Sequence, residues 1–471
     1  MVLNKKLKNK IGLFDHLYTA SLGDYQVIYN PFSYKGQLVL AKNIYLALKD
    51  ILGKKLTYGR SIILFADRFP ELNKNDIKDI FDNLFKYDLI SEEGKKNYFH
   101  YDPNVSKKQL VFWIDITNQC NFKCTYCFVD RKKEIIDPDT FRKLLSRLIK
   151  LRRRYRFTKL VFIFSGGEPL MYFSTLKKIA AEIDIFQKKT ENKIAIEKKI
   201  ITNASLLTDD IAIFLKQNKI NTNISLDGIG RYNDLTRKFI YGRKPTYPLI
   251  KRGIEIARKH NILSHITATI TAKNIEHLPD FASYLLKQKI KFQFQFYKEV
   301  NQHCHEKPVK IDEKTSASYL RAIKTVYRMY GEMDQKNETA NPLNDKYQPM
   351  FISEQGCAAG NMEFTITPDC QIKVCPASEV KIPYDKTEDF IRDIKKINAP
   401  FTDYSVDTHP ICKKCLWRYL CKGGCRLEML KYDKLRSIPP RCYIFKKMLP
   451  LAIKLEAKRI INTNIISLAK T

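Results

Sequence analysis

The chain has 471 residues, 44% hydrophobic, 12% aromatic and 28% charged, and Lys plus Arg exceed Asp plus Glu by 83 − 50 = 33. That length accommodates about two to four domains with sizeable cores, and the composition is globular rather than disordered or fibrous. No run approaches the roughly 20 apolar residues of a membrane helix, and the basic start MVLNKKLKNKIGLF lacks the apolar run of a secretory signal, so a cytoplasmic protein with no membrane partner is expected.

Residues 1–108 contain no cysteine and read as a separate module. DYQVIYNPFSYKGQLVLA predicts two strands around a turn, and AKNIYLALKDIL a helix. A second helix is expected with Asn75 as its cap, because Ile77, Ile80, Phe81, Leu84 and Phe85 then share one face. DLISEEGKKNYFHY reads as a small wing of two strands, which makes the module winged-helix-like. From 109 to 300, strand and helix signals alternate. QLVFWIDI, KLVFIF, IEKKIIT, NTNISL, HITATIT and KFQFQFY are the strands. Asp137-Pro138 opens the first intervening helix, with Phe141, Leu144, Leu145, Leu148 and Ile149 as its apolar stripe. Arg152-Arg153-Arg154 falls at its end and reads as a solvated face. Alternating β and α implies parallel strands with crossover helices. Six such units favour an α/β fold built on a partial (β/α)6, TIM-like barrel, with its chemistry on loops at the C-terminal ends of the strands. Residues 301–350 read as a polar linker with one helix. Residues 351–445 are cysteine-rich and are expected to fold around metal, and 446–471 to form an amphipathic helix.

Twelve cysteines in a reducing compartment point to metal or redox chemistry rather than disulfides. Three of them form Cys120-Asn-Phe-Lys-Cys124-Thr-Tyr-Cys127, directly after the first strand of the series. Three thiolates in one short loop can hold three irons of a [4Fe–4S] cube, which normally takes four cysteines, so one iron stays open. Zinc would want a fourth ligand at finger spacing, which is absent. This C-x3-C-x2-C loop resembles the signature of the radical S-adenosylmethionine (SAM) superfamily. The resemblance implies a catalytic cluster on Cys120, Cys124 and Cys127, whose open iron chelates SAM and whose electron breaks SAM to a 5′-deoxyadenosyl radical. It also implies that Tyr126 packs near the adenine and that Gly166, Gly167, Glu168 and Pro169, in the sequence SGGEP after KLVFIF, bind the SAM amino group. Thr202-Asn203 would lie near the ribose, and Ser225 and Arg237 would make further polar contacts. From the residues themselves, glycine permits close backbone approach to a ligand, and Glu168 can accept from an ammonium.

The later run Cys412-x2-Cys415-x5-Cys421-x3-Cys425, followed by Cys442, resembles the SPASM extension of radical SAM enzymes. That resemblance implies one closed auxiliary [4Fe–4S] cluster on Cys412, Cys415, Cys421 and Cys442 and a second on Cys357, Cys375 and Cys425. Zinc is the alternative for this region. Three plus seven of the twelve cysteines then have roles, leaving Cys370 and Cys304, the latter in His303-Cys304-His305. Cys370 stands where the related pattern usually has glycine. Either spare thiol is a candidate fourth ligand of the second auxiliary cluster or a hydrogen-atom donor; for Cys304 an incidental loop is the simpler reading.

SPASM enzymes mostly modify peptides or proteins, and the N-terminal module resembles the peptide-recognition domains fused to maturases of ribosomally made peptides. Such domains capture a leader peptide as an added strand, and acidic leaders would suit the positive charge. The expected function is therefore a radical SAM peptide maturase forming thioether or carbon–carbon crosslinks, or epimerising, supplied with electrons by a flavodoxin or ferredoxin. Sulfatase maturation is an alternative. Those enzymes carry an Asp after the cysteine corresponding to Cys375, where this chain has Pro376, and they generally lack the N-terminal domain. RNA modification is suggested by the charge and the winged-helix look, but the SPASM likeness argues against a nucleic-acid partner. A non-enzymatic zinc or DNA-binding protein leaves the open three-cysteine loop without a purpose.

Overall fold

The computed structural model describes residues 9–92, 109–191, 193–242, 244–300, 313–332, 357–397, 403–431 and 437–462. In the N-terminal module, β1 (Ile11–Leu13) pairs antiparallel with β5 (Ile90–Glu92). Strands β2 (Tyr18–Leu22), β3 (Tyr25–Tyr29) and β4 (Gln37–Ala41) form an antiparallel sheet in that order. Three helices follow: α1 (Lys42–Gly53), α2 (Tyr58–Arg68) and α3 (Lys74–Lys86). Two strands more than the sequence suggested, β1 and β2, and one more helix, α2, complete the module. The wing is only partly visible, since residues 93–108 lie outside the described residues.

The cap of α3 differs from the expectation. Asn73 accepts from the Asn75 and Asp76 amides, both at 2.9 Å, and the Asp76 carboxylate returns to the Asn73 amide at 3.4 Å. This reciprocal capping box places Asn75 inside the first turn, where its amide is one of those being satisfied. Ile77, Ile80, Phe81 and Leu84 are buried as the pattern required.

Period-2 alternation makes β3 two-sided. Ile28 packs with Leu40, Leu48, Phe65 and Phe81 in the module's own core. Val27 and Tyr29, with Phe32 and Val39, join the main core of the chain. The neighbours on that side come from the cysteine-rich segment. Phe32 meets Tyr419 edge-on at 5.2 Å, Arg418 lies 4.3 Å over the Phe32 ring, and Tyr18 and Trp417 are 5.0 Å apart. The module is thus seated on the segment that carries Cys412, Cys415 and Cys421.

The central sheet contains all six strands read from the sequence: β6 (Gln109–Thr117), β7 (Lys159–Gly166), β8 (Ala195–Thr202), β9 (Ile220–Ser225), β10 (Leu263–Ile270) and β11 (Phe292–Phe296). They lie parallel and in chain order. Helices α4 (Pro138–Tyr155), α5 (Phe173–Lys189), α6 (Asp209–Gln217), α7 (Tyr247–Lys259) and α8 (Leu278–Lys287) connect them. The sheet stays open and continues beyond residue 300. After α9 (Glu313–Glu332), β12 (Glu363–Ile366) adds parallel to β6, and β13 (Gln371–Lys373) and β14 (Lys381–Pro383) extend it antiparallel. Helices α10 (Phe390–Ile397) and α11 (Cys442–Asn462) complete the described chain, α11 starting at Cys442 rather than at 446.

One face of this sheet is apolar. Phe112 stacks on Phe162 at 5.9 Å and on Phe364 at 5.8 Å, beneath Phe141 of α4 and Phe390 of α10. On α4 the buried residues are Phe141, Leu144, Leu145, Leu148 and Leu151, whereas Ile149 is 36% exposed. At 100° per residue, Leu151 continues the stripe and Ile149 falls beside it. The other face carries Trp113, Asp115, Ser165, Lys199, Asn223, His265, Thr267, Gln293 and Gln295, in phase across the ladders. A closed TIM barrel fills its interior with branched apolar side chains; this polar face instead suits a bound, hydrogen-bonding molecule.

Asn73→Ala should destabilise α3 by about 1 kcal/mol, whereas Asn75→Ala should be nearly neutral. Amide hydrogen exchange across residues 74–86 measures the difference, and equal protection in the two variants would contradict the capping box.

Candidate active site

The loop after β6 carries Cys120, Cys124 and Cys127, and backbone bonds strap it on two sides. Lys123 N donates to Lys238 O at 2.6 Å, Thr125 N to Thr236 O at 2.9 Å and Ile240 N to Asn121 O at 3.2 Å. On the other side Gly167 N donates to Thr117 O at 2.7 Å and Glu168 N to Gln119 O at 2.8 Å. A Cβ on Gly166 would lie 2.3 Å from Thr117 O, and one on Gly167 2.0 Å from Gln119 O. Gly166 also has φ +104°. The close approach that these glycines permit is to the backbone of the cysteine loop.

The polar residues singled out in the sequence converge beneath the loop. Glu168 is 1% exposed and accepts from Leu170 N at 3.1 Å, Thr202 Oγ1 at 2.7 Å and Asn203 N at 2.8 Å. Burial raises its carboxyl above the ordinary range, while these donors and the Arg237 charge oppose the rise. Asn203 Nδ2 reaches Asn121 Oδ1 at 2.9 Å and Cys120 Sγ at 3.9 Å. Thr202 and Asn203 thus hold Glu168 and the first cysteine together. Pro169 begins the turn Pro169–Tyr172, of which Pro169 and Leu170 are buried, and Ser225 ends β9 beside Thr267 of β10.

Asp227, two residues after Ser225 and unassigned by the sequence reading, is the hub of the site. It is 1% exposed. It accepts from Tyr126 Oη at 2.6 Å, Thr236 Oγ1 at 2.8 Å, Thr269 N at 3.0 Å and Arg237 Nη2 at 3.2 Å. Arg237 is itself only 7% exposed and reaches Cys124 Sγ at 3.9 Å. Its guanidinium also lies 5.7 Å over the Tyr126 ring. An acid at a strand end with an arginine ten residues on is a weak sequence signal, and only the fold shows that the two meet. Burial drives the Cys120 and Cys124 thiols well above the ordinary thiol range, with Arg237 pulling Cys124 back. A cation bound at these sulfurs would reverse that balance and hold them as thiolates.

The later cysteines sort into two sets by mutual influence. Burial and then the neighbouring Cys357 and Cys425 thiols push Cys375 up to about 12. Cys412 is likewise pushed up to about 12, first by burial and then by Cys421, Cys415 and Cys442, against a contact from Tyr404 that lowers it. Cys370 joins neither set. It sits at φ +54° in the turn Thr367–Gln371, with Asp137 and Asp369 as its charged neighbours. The left-handed conformation accounts for glycine at this place in the related pattern. Cys304, with His303 and His305, lies outside the described residues.

These donor sets suit iron–sulfur cubes. A cube spreads its thiolates over separate corners, and sets of three, three and four thiols match one open cluster and two auxiliary ones. No helix among the described residues is long and apolar enough to cross a membrane.

Comparison with known proteins bears on the fold. Residues 114–285 match the Radical SAM superfamily. An uncharacterized protein of Methanocaldococcus jannaschii is 32% identical over 185 residues, 39% of this chain and 60% of that protein, so the chain spans less than two thirds of that relative. A cysteine-type anaerobic sulfatase-maturating enzyme of Clostridium perfringens is 23% identical over 349 residues, 71% of this chain and 93% of the enzyme. Among solved structures, native anSMEcpe with bound AdoMet and Kp18Cys peptide has a TM-score of 0.62 at 21% identity, covering 76% of this chain and 100% of that one.

Gly167→Ala should displace the cysteine loop, since its Cβ would meet Gln119 O at 2.0 Å, whereas a Cβ on Gly53 meets nothing within 4 Å. After anaerobic reconstitution, Gly167→Ala should lose about a third of its iron, one cube of three. Gly53→Ala should keep all of it. Full iron loading of Gly167→Ala would contradict the strapping described above.

Proposed function

With residues 114–285 a radical SAM domain on a radical SAM fold, we propose that this radical SAM enzyme cleaves SAM at the Cys120, Cys124 and Cys127 loop and modifies a ribosomally made peptide. The observation that carries the reading is the loop itself: three half-buried, mutually interacting thiols, the first held by Asn203 and the second by Arg237. When bound there, a [4Fe–4S] cluster supplies the electron that divides SAM into methionine and a 5′-deoxyadenosyl radical. In this reading Cys357, Cys375 and Cys425 hold one auxiliary cluster, and Cys412, Cys415, Cys421 and Cys442 the other.

The protein's own contribution is positioning and exclusion of water. Glu168, fixed by Thr202 and Asn203, offers negative charge to the SAM ammonium. Tyr126, locked by Asp227 and Arg237, sets the place of the adenine, and Ser225 stands at the strand end towards the ribose. The polar face of the sheet receives the peptide through hydrogen bonds. The N-terminal sheet, seated on the Cys412 segment by Phe32 and Tyr18, captures a leader close to the auxiliary clusters. A flavodoxin or ferredoxin is the proposed electron donor.

Sulfatase maturation is the second reading, favoured by the Clostridium perfringens relative. Pro376 lacks the carboxylate that the resemblance requires after Cys375, and the N-terminal module would be without use. Anaerobic co-expression with a short peptide encoded beside the gene, followed by mass spectrometry, tests the choice. Loss of a hydrogen pair per modified residue supports crosslinking, and deuterium uptake from heavy water at unchanged mass supports epimerisation. An unmodified peptide beside a sulfatase converted to formylglycine would overturn the peptide reading. Cys120→Ala, Cys124→Ala or Cys127→Ala should abolish deoxyadenosine formation measured by chromatography.

A further inference from the structure

The polar face of the central sheet and the strand ends above it carry several carboxylates, and most are committed to fixed partners. Glu168 accepts three hydrogen bonds and Asp227 at least four, as described above. Glu197 is paired with Lys159 and Lys199, both at 2.8 Å. Glu363 accepts the indole N–H of Trp113. Asp115 differs. It lies near the C-terminal end of β6, 8% exposed, and among the described residues accepts one hydrogen bond, from Ser165 Oγ at 2.9 Å. Most of its acceptor capacity stays open.

Its surroundings are built for a polar guest. Asp115 is in register with Ser165 of β7, and Asn223 of β9 with His265 of β10. The side-chain oxygens of Asn223 and Thr365 are buried on this same face without a hydrogen-bond partner among the described residues. Unpaired buried acceptors and hydroxyls are costly, and a bound peptide satisfies them. Lys373, on β13, is the charged group that acts on Asp115. Its ammonium is occupied with Pro376 O at 3.0 Å, just after Cys375. Asp115 therefore stands between the SGGEP turn and the loop of Cys375.

We propose that Asp115 is the proton acceptor for the peptide substrate, a role that rests on the radical SAM reading above. The step balances as follows. A substrate C–H bond breaks and its hydrogen atom passes to the deoxyadenosyl radical, giving deoxyadenosine. A neighbouring S–H, N–H or O–H group gives its proton to Asp115. One electron passes to an oxidised auxiliary iron–sulfur cluster, and a new bond forms between the substrate carbon and the deprotonated atom. Two features suit Asp115 to this task. Burial pushes its carboxyl up to about 6 against the opposing pull of Ser165 and Lys373, so it is ionised at neutral pH yet more basic than an ordinary carboxylate. His265, on the same face, is lowered to about 4 by burial and by Lys199 and is the weaker base.

The test uses the full chain. The ratio of modified peptide to deoxyadenosine should fall at least tenfold in Asp115→Asn and recover in part in Asp115→Glu, with iron content as the folding control. Difference infrared spectra of wild type against Asp115→Asn, recorded without SAM or peptide, should show a carboxylic acid band that titrates near pH 6. An unchanged ratio in Asp115→Asn, or no such band in the wild type, would overturn the assignment. Absence of deoxyadenosine from the wild type would instead remove the radical reading, and the infrared titration would still decide whether Asp115 is a raised, accessible carboxylate.

Discussion

The buried pair of Asp227 and Arg237 fixes the geometry on which the candidate site depends. Asp227 gathers Tyr126 from the cysteine loop, Thr236 and Arg237 from the strap and the Thr269 amide from β10, and Arg237 extends to Cys124. Such a pair adds little net stability, because desolvation offsets most of its attraction. Its weight lies in the cost of disturbing it: removing one partner leaves an uncompensated buried charge, at about 3–5 kcal/mol. The strap and the loop are therefore held in one mutual arrangement. The opposite side is fixed by shape instead, where two glycines let the SGGEP turn press against Thr117 and Gln119. Charge on one side and close packing on the other give three sulfurs a defined presentation before any ligand binds.

The same economy joins the ends of the chain. β3 is covered on both faces, by the module's helices and by the segment around Trp417 and Tyr419, so the N-terminal sheet shares a core with the later cysteines. The glutamate–arginine pair Glu428 and Arg441 performs a comparable task near Cys442. Arg441 donates to Tyr297 O at 3.1 Å, and Glu428 accepts from Glu299 N at 3.0 Å. The chain after β11 is thereby tied to the residue preceding Cys442, and motion of this cysteine-bearing segment is resisted by the central sheet.

Much of this was legible in the sequence. The six strands were readable because each is a short apolar or alternating run between helical stripes, and the Cys120–Cys127 loop because spacing within a loop is local information, whereas the later cysteine sets rest on the resemblance to the SPASM extension. Long-range consequences were not. Asn73 rather than Asn75 caps α3 because a reciprocal bond with Asp76 decides between two asparagines one residue apart, and Ile149 leaves the α4 stripe in favour of Leu151 for reasons of angular phase. The role of Gly166 and Gly167 depends on which backbone lies opposite them, and the role of Asp227 on an arginine and a tyrosine brought from elsewhere. Cys370 read as a spare thiol, whereas its left-handed conformation marks the position as a turn.

The most direct measurement of the central claim is electron paramagnetic resonance of the anaerobically reconstituted, reduced full chain, recorded before and after SAM is added. Three thiolates that leave one iron open predict a reduced [4Fe–4S] signal whose shape changes when SAM binds. A signal indifferent to SAM, or a protein that takes up zinc and no iron, would contradict it.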